Sequence, residues 1–173
     1  MSLVKSEQCT LRFRIRGAAW SLEFSAEVIA GLVSVAQHGR HSLESVGQLY
    51  TADATSDPIR VDRMSRLTPA WAGYSGVRLN MSAVKRERAE MYAEGLHCLG
   101  FWHTHPESRP TPSHDDIRLA KEHAEAGKSD FEGLVFTIVG TDPFPVGLGV
   151  WVHDGTKMWR AESEALGAGQ SVT

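Results

Sequence analysis

The sequence predicts an α/β domain in which the strands of a mixed β-sheet surround a few helices. Three observations predict it. Residues 10–17 (TLRFRIRG) alternate Leu11, Phe13 and Ile15 with Arg12, Arg14 and Arg16, the period-2 pattern of a half-buried strand. Residues 25–37 (SAEVIAGLVSVAQ) place Val28, Ile29, Leu32, Val33 and Val35 on one helical face. Residues 96–105 (LHCLGFWHTH) form a mostly apolar run ended by Pro106, the composition of a buried strand.

Taken in chain order, the strand at 10–17 is followed by a hairpin partner at 19–24. Ser25 caps the helix after it, since its hydroxyl can accept from the first free backbone N–H groups. Residues 46–52 and 58–65 read as strands around the turn-rich ATSDP, and 66–80 reads as a loop with Pro and Gly at intervals. Residues 82–95 form a charged, solvated helix, with Ser82 as N-cap and Gly95 as stop. A third helix spans 113–127. Residues 131–140, 145–154 and 156–162 are three strands joined by tight turns. One domain over 1–164 fits the 173-residue length, and 165–173 (ALGAGQSVT) has the small, polar composition of a flexible tail.

Composition narrows the function. Hydrophobic residues make up 42% and charged residues 23%, so a core can form without disulfide staples. A net charge of -3 gives no electrostatic reason to bind nucleic acid or an anionic membrane. Cys9 and Cys98 form no pattern, and the N-terminus has no apolar signal run, so a cytoplasmic protein is expected.

The chemistry concentrates in residues 103–116, HTHPESRPTPSHDD. Side chains at i and i+2 of a strand share a face, so His103 and His105 project together. Pro106, Pro110 and Pro112 stiffen the link to Ser113, which stands at a helix N-cap with Asp116 three residues on. Two neutral imidazoles and one carboxylate, with a fourth position left to water, make a catalytic zinc site, so His103, His105 and Asp116 are the expected ligands. The plainer reading of Ser113 and Asp116 is a capping box, and of Asp115 a charge placed for the helix dipole.

His-x-His, seven residues, Ser, two residues and Asp resembles the signature of the JAMM (MPN-plus) zinc metallopeptidases, which include prokaryotic JAB-type proteins. The flanks GFWHTHP and Pro112-Ser113 are similar to the family's as well. The family also carries an upstream glutamate in a segment like E-x-G-G-x-L-x-G. HSLESVGQLYTA offers Glu44, Gly47 and Leu49 there, with Val46 in place of one glycine. The resemblance implies an MPN-like fold, related to cytidine deaminases, with a mixed sheet curled around and flanked by about three helices. It implies one catalytic Zn2+, Glu44 as general base outside the coordination shell, and Ser113 as donor to the tetrahedral oxyanion. It implies hydrolysis of a peptide or isopeptide bond, with a ubiquitin-like protein or a sulfur-carrier protein of that fold as substrate. Compact members of this kind occur in bacterial ubiquitin-like pathways, some of them antiphage.

Other classes fit less well. A zinc deaminase needs His-x-Glu and Pro-Cys-x-x-Cys, whereas His97 is followed by Cys98 and Leu99. A His-x-His amidohydrolase needs a barrel of about 250 residues. A non-catalytic MPN scaffold usually lacks ligands, and here every ligand position is filled. Trp71 and Tyr74 are expected to pack rather than to shape a groove, and His38, His41, His97, His114, His123 and His153 show no ligand spacing.

Overall fold

The computed structural model describes residues 10–127 and 133–164. The expected tail at 165–173, Cys9, and the start of the strand expected from residue 131 lie outside them. Two strands, β1 (Leu11–Ile15) and β2 (Leu22–Phe24), pair antiparallel as the alternation predicts, with Leu11, Phe13, Leu22 and Phe24 buried. Helix α1 (Ala26–Ser34) starts at Ser25, whose side chain accepts from the Val28 N–H. Next come β3 (Val46–Thr51), β4 (Ile59–Val61) and β5 (Arg63–Met64). The single strand expected over 58–65 is therefore split at Asp62, because the two halves join opposite edges of the sheet.

Residues 66–80 are more ordered than their Pro and Gly content implies. They contain a small hairpin, β6 (Trp71–Gly73) and β7 (Gly76–Arg78). Helix α2 (Met81–Ala93) starts one residue before the expected cap. Asn80, not Ser82, caps it, because the Asn80 side chain accepts from the Ala83 N–H. Strand β8 (His97–Thr104), helix α3 (His114–Ala126), and strands β9 (Leu134–Val139), β10 (Leu148–His153) and β11 (Met158–Ser163) follow.

The main sheet runs β4-β2-β1-β11-β10-β9-β8-β3-β5, mixed because β8/β9 and β2/β4 are parallel. Its two edge strands are separated in sequence by Asp62 alone, so the sheet curls until its edges nearly meet. A core inside the curl joins Val28 and Leu32 of α1 to Phe13, Phe24, Leu49, Trp102 and Val135. A second core on the outer face joins Val84, Ala120 and Ala124 of α2 and α3 to Val46, Phe101, Phe136 and Ile138.

One irregularity decides where the site forms. Along β8, Leu49 pairs with Gly100 and Tyr50 with Cys98, so Leu99 is an extra residue in the ladder. Such a bulge shifts the alternation by one. At the bulge, Leu99 faces the inner core. After it, Trp102 faces the inner core, and Phe101 and His103 face the helices. Gly100 makes the bulge tolerable: its φ is 154°, and a Cβ there would stand 1.8 Å from the Val135 carbonyl oxygen. Gly47 is required for a related reason. A Cβ would stand 1.9 Å from the Ser65 carbonyl oxygen, which the Trp102 indole N–H reaches across β3 at 2.8 Å.

Candidate metal centre

The end of β8 and the start of α3 bring His103, His105 and Asp116 together. His103 is 3% exposed and packs edge-on against Phe136; His105 is 7% exposed, its N–H bonded to the Val139 carbonyl at 2.9 Å. The two Nε2 atoms are 2.9 Å apart. Asp116 Oδ1 is 3.2 Å from His103 Nε2, and Asp116 Oδ2 is 3.3 Å from His105 Nε2. A tetrahedral ion with bonds of about 2.0–2.1 Å separates its ligand atoms by about 3.3–3.4 Å. The three groups thus stand near the spacing of three ligands on one small cation, and two nitrogens with one carboxylate oxygen are a zinc-type donor set.

The capping box on α3 is real and does not compete with this arrangement. Ser113 N–H donates to Asp116 Oδ2 at 2.7 Å, and Asp116 N–H donates to Ser113 Oγ at 3.2 Å. The cap fixes the Asp116 rotamer that faces the histidines. Ser113 spends an acceptor lone pair on the cap, so its hydroxyl hydrogen stays free to donate, and the hydroxyl is exposed beside the site.

Glu44 arrives from the connection between α1 and β3 and is 5% exposed. Three backbone contacts pin it. Its own N–H donates to the Gly73 carbonyl at 2.7 Å; Ser45 N–H donates to Thr104 Oγ1 at 2.9 Å; Thr104 N–H donates to the Ser45 carbonyl at 3.0 Å. The middle residue of His-Thr-His therefore holds the glutamate segment. The ligand atoms of Glu44, His103 and His105 all lie within 4.8 Å of one another. Two overlapping trios are thus present, and Asp116 makes the tighter one, reaching each imidazole at 3.2 and 3.3 Å.

The electrostatics separate the two carboxylates. Burial pushes the Glu44 carboxyl up to about 7; the nearby His105 opposes this, and Asp116 and Glu107 add to it. Burial acts on Asp116 in the same sense, but the His103 and His105 rings and the Ser113 N–H outweigh it and hold the group well below the usual carboxylate range. Burial keeps His103 neutral, the form that can ligate, against the pull of Asp116. At His105 burial also lowers the value, but Asp116 and Glu44 outweigh it and the net shift is upward.

The remaining histidines stand apart. His114 is exposed, His123 packs on Phe101 with ring centroids 4.7 Å apart, and His153 Nδ1 accepts the Gly155 N–H at 3.0 Å. Asp115 pairs with Arg118 at 2.9 Å on the surface. Trp71 and Tyr74 correct the packing expectation: they are 57% and 51% exposed, at the hairpin beside the site. Two clefts border the site, one touching the His103 and Asp116 side and the other the Glu44 side. The first, of about 260 Å³, is lined by His103, Asp116, Val77 and Leu119; the second, of about 410 Å³, by Gln37, Glu44, Arg66 and Ala72. Gln37 carries no motif and could not be found from the sequence.

A family model described as prokaryotic homologs of the JAB domain matches residues 25–159, which include all of these groups. The chain belongs to this JAB family. The JAB-domain chain therefore has the MPN-like fold that its motif implies. It is 27% identical over 151 residues to a protein of Enterobacter hormaechei subsp. hoffmannii named "CD-NTase/cGAS isopeptidase", covering 83% of this chain and 82% of that protein. A solution structure of a protein from Desulfitobacterium hafniense matches with a TM-score of 0.57 at 17% identity, over 82% of this chain and 88% of the other, and shares the fold. A second, from Salinibacter ruber, matches with a TM-score of 0.48 at 17% identity, over 86% and 94%. Among the described residues, no helix of this JAB domain is long and apolar enough to cross a membrane.

Proposed function

We propose that this JAB domain is a zinc-dependent isopeptidase that hydrolyses the bond following the C-terminus of a ubiquitin-like protein, in deconjugation or precursor processing. The observation that carries the reading is the trio of His103 Nε2, His105 Nε2 and Asp116 carboxylate at 2.9–3.3 Å, with a buried glutamate of raised pKa beside it. His103, His105 and Asp116 are the ligands. Zinc held there would supply a Lewis acid and a water ionisable near pH 7.

The chain's own groups do the rest. Glu44, acting from outside the ligand trio, accepts the proton of the attacking water at a carboxylate oxygen and passes it to the leaving nitrogen. Its raised pKa suits a group that must both take and give a proton near neutrality, although a bound cation would draw that value down. Ser113 donates its hydroxyl hydrogen to the oxyanion that forms on the scissile carbonyl, at a helix N-terminus that favours negative charge.

The E. hormaechei relative is named an isopeptidase, which supports a protein conjugate as substrate. A cytoplasmic role in a bacterial ubiquitin-like pathway, including an antiphage one, accords with it; trimming of sulfur-carrier proteins is the alternative substrate on the same chemistry. The test is zinc content and cleavage on one sample. The protein, purified without a metal-binding tag, should carry zinc and cleave a ubiquitin-like protein with a C-terminal extension. Glu44→Ala should keep zinc and lose cleavage, and Asp116→Ala should lose both. A zinc-free wild type would return the chain to a non-catalytic scaffold.

A further inference from the structure

The two clefts are not equivalent once Glu44 has a direction. A group that hands a proton to the leaving nitrogen must lie within hydrogen-bond reach of it. The amine therefore departs on the Glu44 side, into the 410 Å³ cavity, a volume in the range of ligand clefts of about 300–1,000 Å³. The acyl part then occupies the cleft lined by His103, Asp116 and Val77.

Two side chains of the Glu44 cavity have unused polar capacity. Gln37 is 4% exposed, and its amide nitrogen is committed to the Ser42 carbonyl at 3.0 Å and the Tyr74 carbonyl at 3.1 Å. That orientation leaves Gln37 Oε1 buried with no hydrogen-bond partner among the described residues. Buried acceptors are rarely left so, and this one asks for an N–H donor. Arg66 lines the same cavity. It spends one N–H on Ser45 Oγ at 3.0 Å, and it is absent from the ion pairs found among the described residues. A guanidinium with free donors favours a carboxylate.

We propose that this cavity binds the leaving-group segment of the substrate, with Gln37 Oε1 accepting an N–H of that segment and Arg66 selecting one that carries a carboxylate next to the released amine. The assignment rests on the isopeptidase reading for its direction, but its binding chemistry can be measured without cleavage.

The experiment is a titration of the 15N-labelled full chain, to millimolar peptide, with two tetrapeptide amides bearing a free amino end: Gly-Glu-Ala-Ala and Gly-Gln-Ala-Ala. The glutamate peptide should shift the Gln37 side-chain amide and the Arg66 Nε–H. The glutamine peptide, and the glutamate peptide on Arg66→Gln, should bind about two- to five-fold more weakly, the effect of one exposed ion pair. Equal binding of the two peptides, shifts at Val77 and Leu119 instead, or no shift at all would overturn the proposal. Failure here beside successful cleavage would sink this inference alone. Failed cleavage beside the expected shifts would sink the hydrolytic reading and leave a carboxylate-selective cavity.

Discussion

Ser113 and Asp116 hold each other in both directions, N–H to carboxylate at 2.7 Å and N–H to hydroxyl at 3.2 Å. The same Asp116 oxygen that accepts from Ser113 lies 3.3 Å from His105 Nε2. The start of α3 and the candidate metal centre are therefore one structure. The two readings of S-x-x-D, helix cap and metal ligand, describe a single rotamer, and variants at these positions should separate its two roles.

Ser113→Ala removes the hydroxyl from both tasks. Loss of an N-cap to alanine costs about 1 kcal/mol. Loss of an oxyanion donor costs about 10²–10³ in kcat. Ser113→Gly should recover most of the stability, since glycine is tolerated at an N-cap to within a few tenths of a kcal/mol, but none of the rate. Urea unfolding and kcat on the same samples check this. A rate that recovers with the stability would show that Ser113 acts only as a cap.

Asp116→Asn tests the ligand role with the cap preserved. The amide oxygen can still accept from the Ser113 N–H, so the cap survives, while the loss of the carboxylate's contacts with the His103 and His105 rings should make the metal-free variant less stable than the metal-free wild type. Zinc should stabilise the wild type by about 2.7 kcal/mol at one hundred times its Kd and leave the variant unmoved. Thermal unfolding across a zinc titration reads the difference directly.

Glu44 gives a pH signature. Its value in the fold is about 7, raised by burial from 4.5 in the unfolded chain. The sign follows from proton counting: between these values the folded chain holds a proton that the unfolded chain has released, so stability falls as pH rises through the window. The whole shift is worth on the order of 3 kcal/mol at about 1.4 kcal/mol per unit. In metal-free protein, wild type should lose more stability than Glu44→Gln between pH 5 and 8, which urea unfolding at the two ends measures. Parallel losses would show that Glu44 is ionised in the fold throughout.

Much of this site is legible in the sequence because it lies within one short stretch. His103 and His105 sit two apart at a strand end, and Asp116 sits one helical turn beyond a proline-stiffened link. What is not legible depends on partners distant in the chain. Which face of β8 His103 takes is decided by the bulge at Leu99, and the extra residue shows only once β3 is paired beside it. The β6–β7 hairpin has three-residue strands, too short for periodicity to speak, yet its Gly73 carbonyl holds the Glu44 backbone. The split at Asp62 follows from sheet closure rather than from local propensity. Gln37, with Tyr74 as one of its partners, becomes a site residue only when that hairpin folds over it.

Thr104 offers the sharpest check of how the fold places the glutamate. It is fully buried, and its hydroxyl accepts the Ser45 N–H at 2.9 Å, one residue from Glu44. Thr104→Val keeps the shape and removes the acceptor, leaving that N–H unsatisfied at about 1–3 kcal/mol. The proposed ligands His103, His105 and Asp116 are untouched, so zinc binding should be retained. The loss should fall on kcat rather than KM, because what moves is Glu44, the proposed proton carrier. Thr104→Ser keeps the oxygen and should restore kcat even though it removes a buried methyl. If Thr104→Ser is as slow as Thr104→Val, the packing of the methyl group sets the Glu44 position and the hydrogen bond does not.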